Sequence, residues 1–162
     1  MIFVALGTQK FQLNRLLQKI DYLVEKNIIT EPVFAQIGYS TYIPKNFEFT
    51  AFMEQKEFKE KIMKCDLLIT HSGVGTILTG INLKKHILVY PRLEKYGEHV
   101  DDHQVEIGEA FEAMGIVVCC KESDSLEDKI KEAYNKKWQS YISNRKKHIH
   151  IIREFLEKEI GS

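Results

Sequence analysis

Short runs of consecutive, mostly apolar residues recur along the chain at Ile2–Leu6, Val33–Ile37, Leu67–Thr70, His86–Tyr90 and Ile116–Cys120, with amphipathic stretches between them. A strand that is apolar on both faces must be covered on both faces. Such strands alternating with helices imply a parallel arrangement joined by right-handed crossovers. The expected fold class is therefore α/β: a Rossmann-like, doubly wound, mostly parallel sheet with helices on both faces. Phe47–Phe52 alternates in polarity and adds a short strand.

Between the strands, apolar positions three and four apart predict helices. Phe11–Lys26 carries Leu13, Leu16, Leu17, Ile20, Leu23 and Val24 on one face. Glu54–Lys64 turns Phe58, Ile62 and Met63 inward. Helices follow over Gly75–Leu83, over Asp101–Met114 with Gly115 as its C-cap, over Ser125–Tyr134 and over Trp138–Glu159. In the last of these, Trp138, Tyr141, Ile142, Ile149, Ile152 and Leu156 form a stripe that suits either core packing or a docking face for a partner. With 162 residues and 44% hydrophobic content, the chain reads as a single domain over residues 1–162.

Charge and cysteine usage narrow the function classes. Lys plus Arg number 23 and Asp plus Glu number 23, so the net charge is zero. That balance argues against a nucleic-acid binder, which needs a basic excess. No apolar run reaches the roughly 20 residues that span a bilayer, and the N-terminal run turns at Gly7 as a strand does rather than as a signal peptide. Three cysteines, two of them adjacent, read as reduced thiols of a cytoplasmic protein.

In a doubly wound sheet the ligand lies at the carboxyl ends of the strands, where the strand order reverses. Three segments stand there. Leu67-Leu-Ile-Thr-His-Ser-Gly-Val-Gly-Thr76 runs from a strand through a glycine turn into a helix. The first amides of such a helix are unpaired and carry the positive end of its dipole, which suits a diphosphate. No lysine follows the glycines and the third glycine of a dinucleotide fingerprint is missing, so neither a P-loop nor that fingerprint applies. A plain tight turn is the competing reading. The second segment, Tyr90 to Gln104, crowds polar groups between a strand and a helix; Asp101 or Asp102 can cap that helix, and His103 and Gln104 then sit on its first turn. A metal held by His99 and His103 is a rival, weakened because the helix starts near residue 101. The third segment is Gly7-Thr8-Gln9.

The runs Ile69-Thr-His-Ser-Gly-Val-Gly-Thr76 and Val89-Tyr-Pro-Arg-Leu-Glu-Lys-Tyr-Gly-Glu-His-Val-Asp-Asp-His-Gln104, with Phe3-Val-Ala-Leu-Gly-Thr8 and Gln36-Ile-Gly-Tyr-Ser40, resemble the C-terminal domain of glycosyltransferase family 28, and within it the PssE-type polysaccharide subunits. The resemblance covers nearly the whole chain. It implies the C-terminal half of a GT-B enzyme, which binds a UDP-sugar. In that branch a separate, membrane-anchored subunit of PssD type binds the acceptor, a saccharide linked through diphosphate to a polyprenol. The protein would then be cytoplasmic and recruited to the inner face of the plasma membrane.

Carried over residue by residue, the resemblance places Ser72, Gly73, Val74, Gly75 and Thr76 on the diphosphate, with Gly7, Thr8 and Gln9 facing them. The region Phe49–Met53, Phe52 and Met53 within it, would lie beside the uracil and read it partly by backbone groups, and His103 and Gln104 would contact the donor sugar. Thr79 stands where many relatives carry an acidic residue for the ribose. The implied reaction is inverting hexosyl transfer, galactose or N-acetylglucosamine, in exopolysaccharide or capsule synthesis, with no cofactor and no metal. The general base is expected on the partner; His71 is a candidate within this chain. The competing reading is a non-catalytic stabiliser of a membrane-bound glycosyltransferase.

Overall fold

The carboxyl ends of six parallel strands stand level in one row: Thr50, Gln36, Ala5, Thr70, Val89 and Cys119 are successive partners across the sheet. The strands are β1 (Ile2–Ala5), β2 (Val33–Gln36), β3 (Glu48–Thr50), β4 (Leu67–Thr70), β5 (His86–Val89) and β6 (Val118–Cys119), in the order β3-β2-β1-β4-β5-β6. This computed structural model describes residues 1–137 together with Arg153 and Glu154. The order reverses between β1 and β4, so the crevice expected of such sheets opens there.

Alternation along each strand divides the core into two layers. Ile2 and Val4 of β1, Leu67 and Ile69 of β4 and Leu88 of β5 face α1 (Asn14–Glu25) and α5 (Leu126–Asn135), meeting Leu16, Leu17, Ile20, Leu126 and Ile130. Phe3, Ala5, Leu68, Ile87 and Val89 face the other way, against Ile62 of α2 (Gln55–Lys64), Val74, Ile77 and Ile81 of α3 (Val74–Asn82), and Ile107 and Phe111 of α4 (His103–Ala113). Each burial of a large aliphatic side chain contributes roughly 1.5–3 kcal/mol. The expected doubly wound α/β sheet with both faces covered is the observed one, and its strand order is that of the Rossmann fold.

Element ends differ from the sequence reading for local reasons. Helix α1 begins at Asn14 rather than Phe11, because the Leu13 amide donates to Ser40 Oγ at 2.9 Å and the chain ahead of it runs as a loop. Helix α4 begins at His103, whose amide donates to Asp101 Oδ1 at 2.9 Å. Met63, expected to point inward, is 54% exposed, because α2 buries only Ile62 fully and Phe58 in part. All three cysteines are buried and free, and burial pushes the Cys65 and Cys120 thiols up to about 11 and Cys119 up to about 12. Among the described residues no helix is long and apolar enough to cross a membrane. Of the helix expected over Trp138–Glu159, only Arg153 and Glu154 are described; its apolar stripe lies outside the described residues.

Candidate functional site

Two turns meet across the β1/β4 reversal, and a histidine fills the space between them. Gly7, after β1, has φ 77°, a conformation that favours glycine. A Cβ there would come within 2.6 Å of His71 Nε2, and a Cβ on Gly73 would come within 2.7 Å of the same atom. Both glycines are therefore required by the imidazole between them. The Gly7 turn is in turn fixed from β2. Gln36 Nε2 donates to Gly7 O at 3.1 Å and to Ala51 O at 3.2 Å, tying the ends of β1 and β3 to β2.

The glycine loop narrows when its amides are followed one by one. The Ser72 amide donates to Gln104 Oε1 at 3.2 Å, and the Gly73 amide to His71 O at 2.8 Å. The backbone amides of Ser72 and Gly73 are thus engaged, although Ser72 Oγ is buried without a partner among the described residues; the resemblance placed both residues on the diphosphate. Val74, Gly75 and Thr76 supply free amides: they form the first turn of α3, whose N-cap, Gly73, offers no side-chain acceptor. The Val74 side chain is fully buried in the core, so only its backbone faces outward. Gly75 is exposed, and a Cβ added there would meet no atom within 4 Å. The open side leads into a groove of about 570 Å³ lined by Gly75, Thr76, Thr79, Gln55, Phe58 and Lys59, among others. Thr79 Oγ1 donates back to Gly75 O at 3.0 Å, which leaves its oxygen as an acceptor toward the groove.

The remaining expected residues have the following surroundings. Thr8 and Gln9 are exposed beyond the Gly7 turn. Phe52 is exposed and meets Tyr39 edge-on at 5.2 Å, while Met53 is half-buried against the core. His103 is half-buried, with Nδ1 3.2 Å from Glu106 Oε2. Gln104 is buried, and its amide is engaged by the Ser72 and Arg92 amides and by His71 Nδ1 at 3.0 Å. His99 lies ahead of α4 and bonds Asp101, so it shares no helical face with His103. Among the described residues no group of three His, Cys, Asp or Glu side chains could hold a metal.

Sequence reasoning missed the buried frame behind the site. Arg92 is 1% exposed; its Nη1 donates to Phe11 O at 3.1 Å and Gln12 O at 3.0 Å, and its Nη2 donates to Leu6 O. It pins the chain leaving β1 to the chain leaving β5. Desolvation holds Arg92 down at about 10, still cationic at neutral pH. Burial, with the Arg92 and His99 charges adding to it, pushes His71 down to about 3, so its ring is neutral at pH 7. The polar density of the Tyr90–Gln104 loop was the available signal, but the partners of Arg92 lie some eighty residues away and no spacing reveals them.

An all-parallel sheet with two glycine turns facing across its reversal, and an uncapped helix N-terminus opening into a groove, defines an α/β domain of the Rossmann class. The sequence matches the glycosyltransferase family 28 C-terminal domain over residues 1–158, and the chain belongs to that family. It is 29% identical over 131 residues to the human UDP-N-acetylglucosamine transferase subunit ALG13, covering 74% of this chain and 11% of that protein. Among solved structures it is similar to the glycosyltransferase SnogD from Streptomyces nogalater (TM-score 0.57, 17% identity, 89% of this chain and 37% of that one). It is also similar to the spinosyn forosaminyltransferase SpnP (TM-score 0.55, 15% identity, 99% of this chain and 44% of that one). These likenesses establish the fold. The chain spans well under two thirds of the length of each of these proteins.

Proposed function

We propose that this chain is the donor-binding part of a two-component inverting glycosyltransferase. It would take a hexose, galactose or N-acetylglucosamine, from a UDP-sugar and, with a membrane-anchored PssD-like partner, deliver it to a polyprenyl-diphosphate-linked saccharide in exopolysaccharide or capsule synthesis. The single observation that carries this reading is the α3 N-terminus. The amides of Val74, Gly75 and Thr76 are the unpaired donors of the helix, and Gly75 stands open beside the groove. Membership of the family and the printed description of the human relative as a transferase subunit support the rest.

Departure of UDP puts charge on the pyrophosphate, and fixed amides at a helix N-terminus stabilise that charge without reorganising. Phe52 and Met53 would lie beside the uracil and Thr79 beside the ribose; Thr8, Gln9 and His103 would border the crevice. A neutral, buried His71 engaged at Nδ1 is poorly suited to take a proton from an acceptor hydroxyl, which supports a base on the partner.

The test is reconstitution with the membrane-bound partner and a screen of UDP-sugars. Gly75→Leu is the informative variant, because the added side chain meets no protein atom near its Cβ yet enters the groove. Gly73→Val would displace His71 and confound folding with binding. Transfer by the wild-type pair that Gly75→Leu abolishes supports donor binding here; transfer that Gly75→Leu leaves intact favours a stabilising role for this chain and overturns the proposal.

A further inference from the structure

Gln104, on the first turn of α4, bridges the ends of β4 and β5. Its Oε1 accepts the backbone N–H of Ser72 at 3.2 Å and that of Arg92 at 3.0 Å. A backbone N–H only donates, so these two bonds fix which end of the amide is oxygen. The NH2 end then faces His71 Nδ1 at 3.0 Å, and it too only donates. His71 Nδ1 is left as the acceptor, and a neutral imidazole that accepts at Nδ1 carries its proton on Nε2. Nε2 is the atom lying over both the Gly7 turn and Gly73. The only side-chain hydrogen bond of His71 among the described residues is the one at Nδ1, so Nε2 is left open.

We infer that Gln104 is a positioning residue that locks His71 as the Nε2–H tautomer, making the ring a fixed neutral donor into the crevice between the Gly7 turn and the α3 N-terminus. What that N–H meets, an anionic phosphate oxygen, rests on the proposed pyrophosphate site; the lock itself does not. The role also differs from the sugar contact that the resemblance assigned to Gln104. Three groups face the ring. Gln104 NH2 occupies Nδ1, and the Arg92 guanidinium and the His99 ring both oppose a second proton. The donor therefore persists into mildly acidic solution, where an ordinary histidine would carry a full charge.

Long-range proton–nitrogen NMR correlation on the isotopically labelled full chain reads each ring nitrogen directly. At neutral pH the free chain should show Nδ1 unprotonated and Nε2 protonated; a protonated Nδ1 in the wild type overturns the lock. Gln104→Glu keeps acceptors for the Ser72 and Arg92 amides but offers Nδ1 no N–H, so Nδ1 should become protonated; an unchanged ring overturns the lock. The wild-type spectrum decides the matter even if that variant fails to fold. A second arm titrates a UDP-hexose. The wild type should bind, and Gln104→Glu should bind about tenfold more weakly, the scale of one lost hydrogen bond. Equal affinity with a switched ring overturns the role of Nε2 in the crevice. Absence of binding to the wild type, with the tautomer as stated, overturns the pyrophosphate reading while supporting the lock.

Discussion

Glu98 grips Arg15 at two points: Oε2 accepts Nε at 3.0 Å and Oε1 accepts Nη2 at 2.9 Å, although the two residues stand far apart in sequence. Glu98 is fully buried, its Oε1 also accepts the Leu93 amide at 2.8 Å, and the guanidinium continues to Tyr90 Oη at 2.7 Å. Removing one member of such a pair leaves the other uncompensated. Glu98→Ala should therefore lower stability by about 3 kcal/mol, toward the low end for a buried pair because Arg15 keeps some solvent contact. Chemical denaturation, read as a shift in midpoint at constant slope, checks this.

The neutral burial of His71 makes stability depend on pH in a defined direction. Its folded pKa, about 3, lies below its unfolded value near 6.5, so the unfolded chain binds the extra proton between those values. Stability is full above the unfolded pKa and falls as pH drops, by about 1.4 kcal/mol per unit for one proton. His71→Asn should flatten denaturation midpoints between about pH 6 and pH 4.5 relative to wild type. Parallel curves for the two proteins would assign the slope to other groups.

Glycines of the two turns should respond oppositely to a side chain. Gly7→Ala places a Cβ 2.6 Å from His71 Nε2 at φ 77°, and should lose at least about 2 kcal/mol. Gly75→Ala sits in an exposed helical turn with open space around it and should be neutral or stabilising by up to about 1 kcal/mol. Thermal melts of the two variants check both signs.

Just past the Leu83 C-cap of α3, Lys84 has φ 57°, a left-handed position that usually takes glycine, and the Lys84 and Lys85 amides close the helix onto Ile81 O and Gly80 O at 3.0 Å each. Lys84→Gly should stabilise by about 1 kcal/mol. A melting temperature that falls instead would show that the Lys84 side chain contributes more than its backbone strain costs.

Both-faced apolar runs such as Leu67–Thr70 made the sheet readable, because a buried parallel strand leaves no polar face. Helix starts were less readable: what stops α1 short of Phe11 is a bond from Leu13 to Ser40, and nothing local to Phe11 announces it. The glycine turn was visible as a motif, but the motif could not say which amides remain open. Ser72 and Gly73 are engaged by Gln104 and His71, contacts set by how α4 docks on the ends of β4 and β5. Arg92 read as part of a polar loop, and only the fold shows it clamped on Leu6, Phe11 and Gln12.

The central claim is that the open amides of Val74, Gly75 and Thr76 receive a pyrophosphate, and backbone NMR of the labelled chain titrated with UDP, alone and with the partner subunit, tests it most directly. Saturable movement of those three amide signals, larger than any outside the crevice and lost in Gly75→Leu, is the expected result. Saturation of UDP binding with the three signals unmoved, or no movement anywhere at millimolar UDP with the partner present, would contradict it.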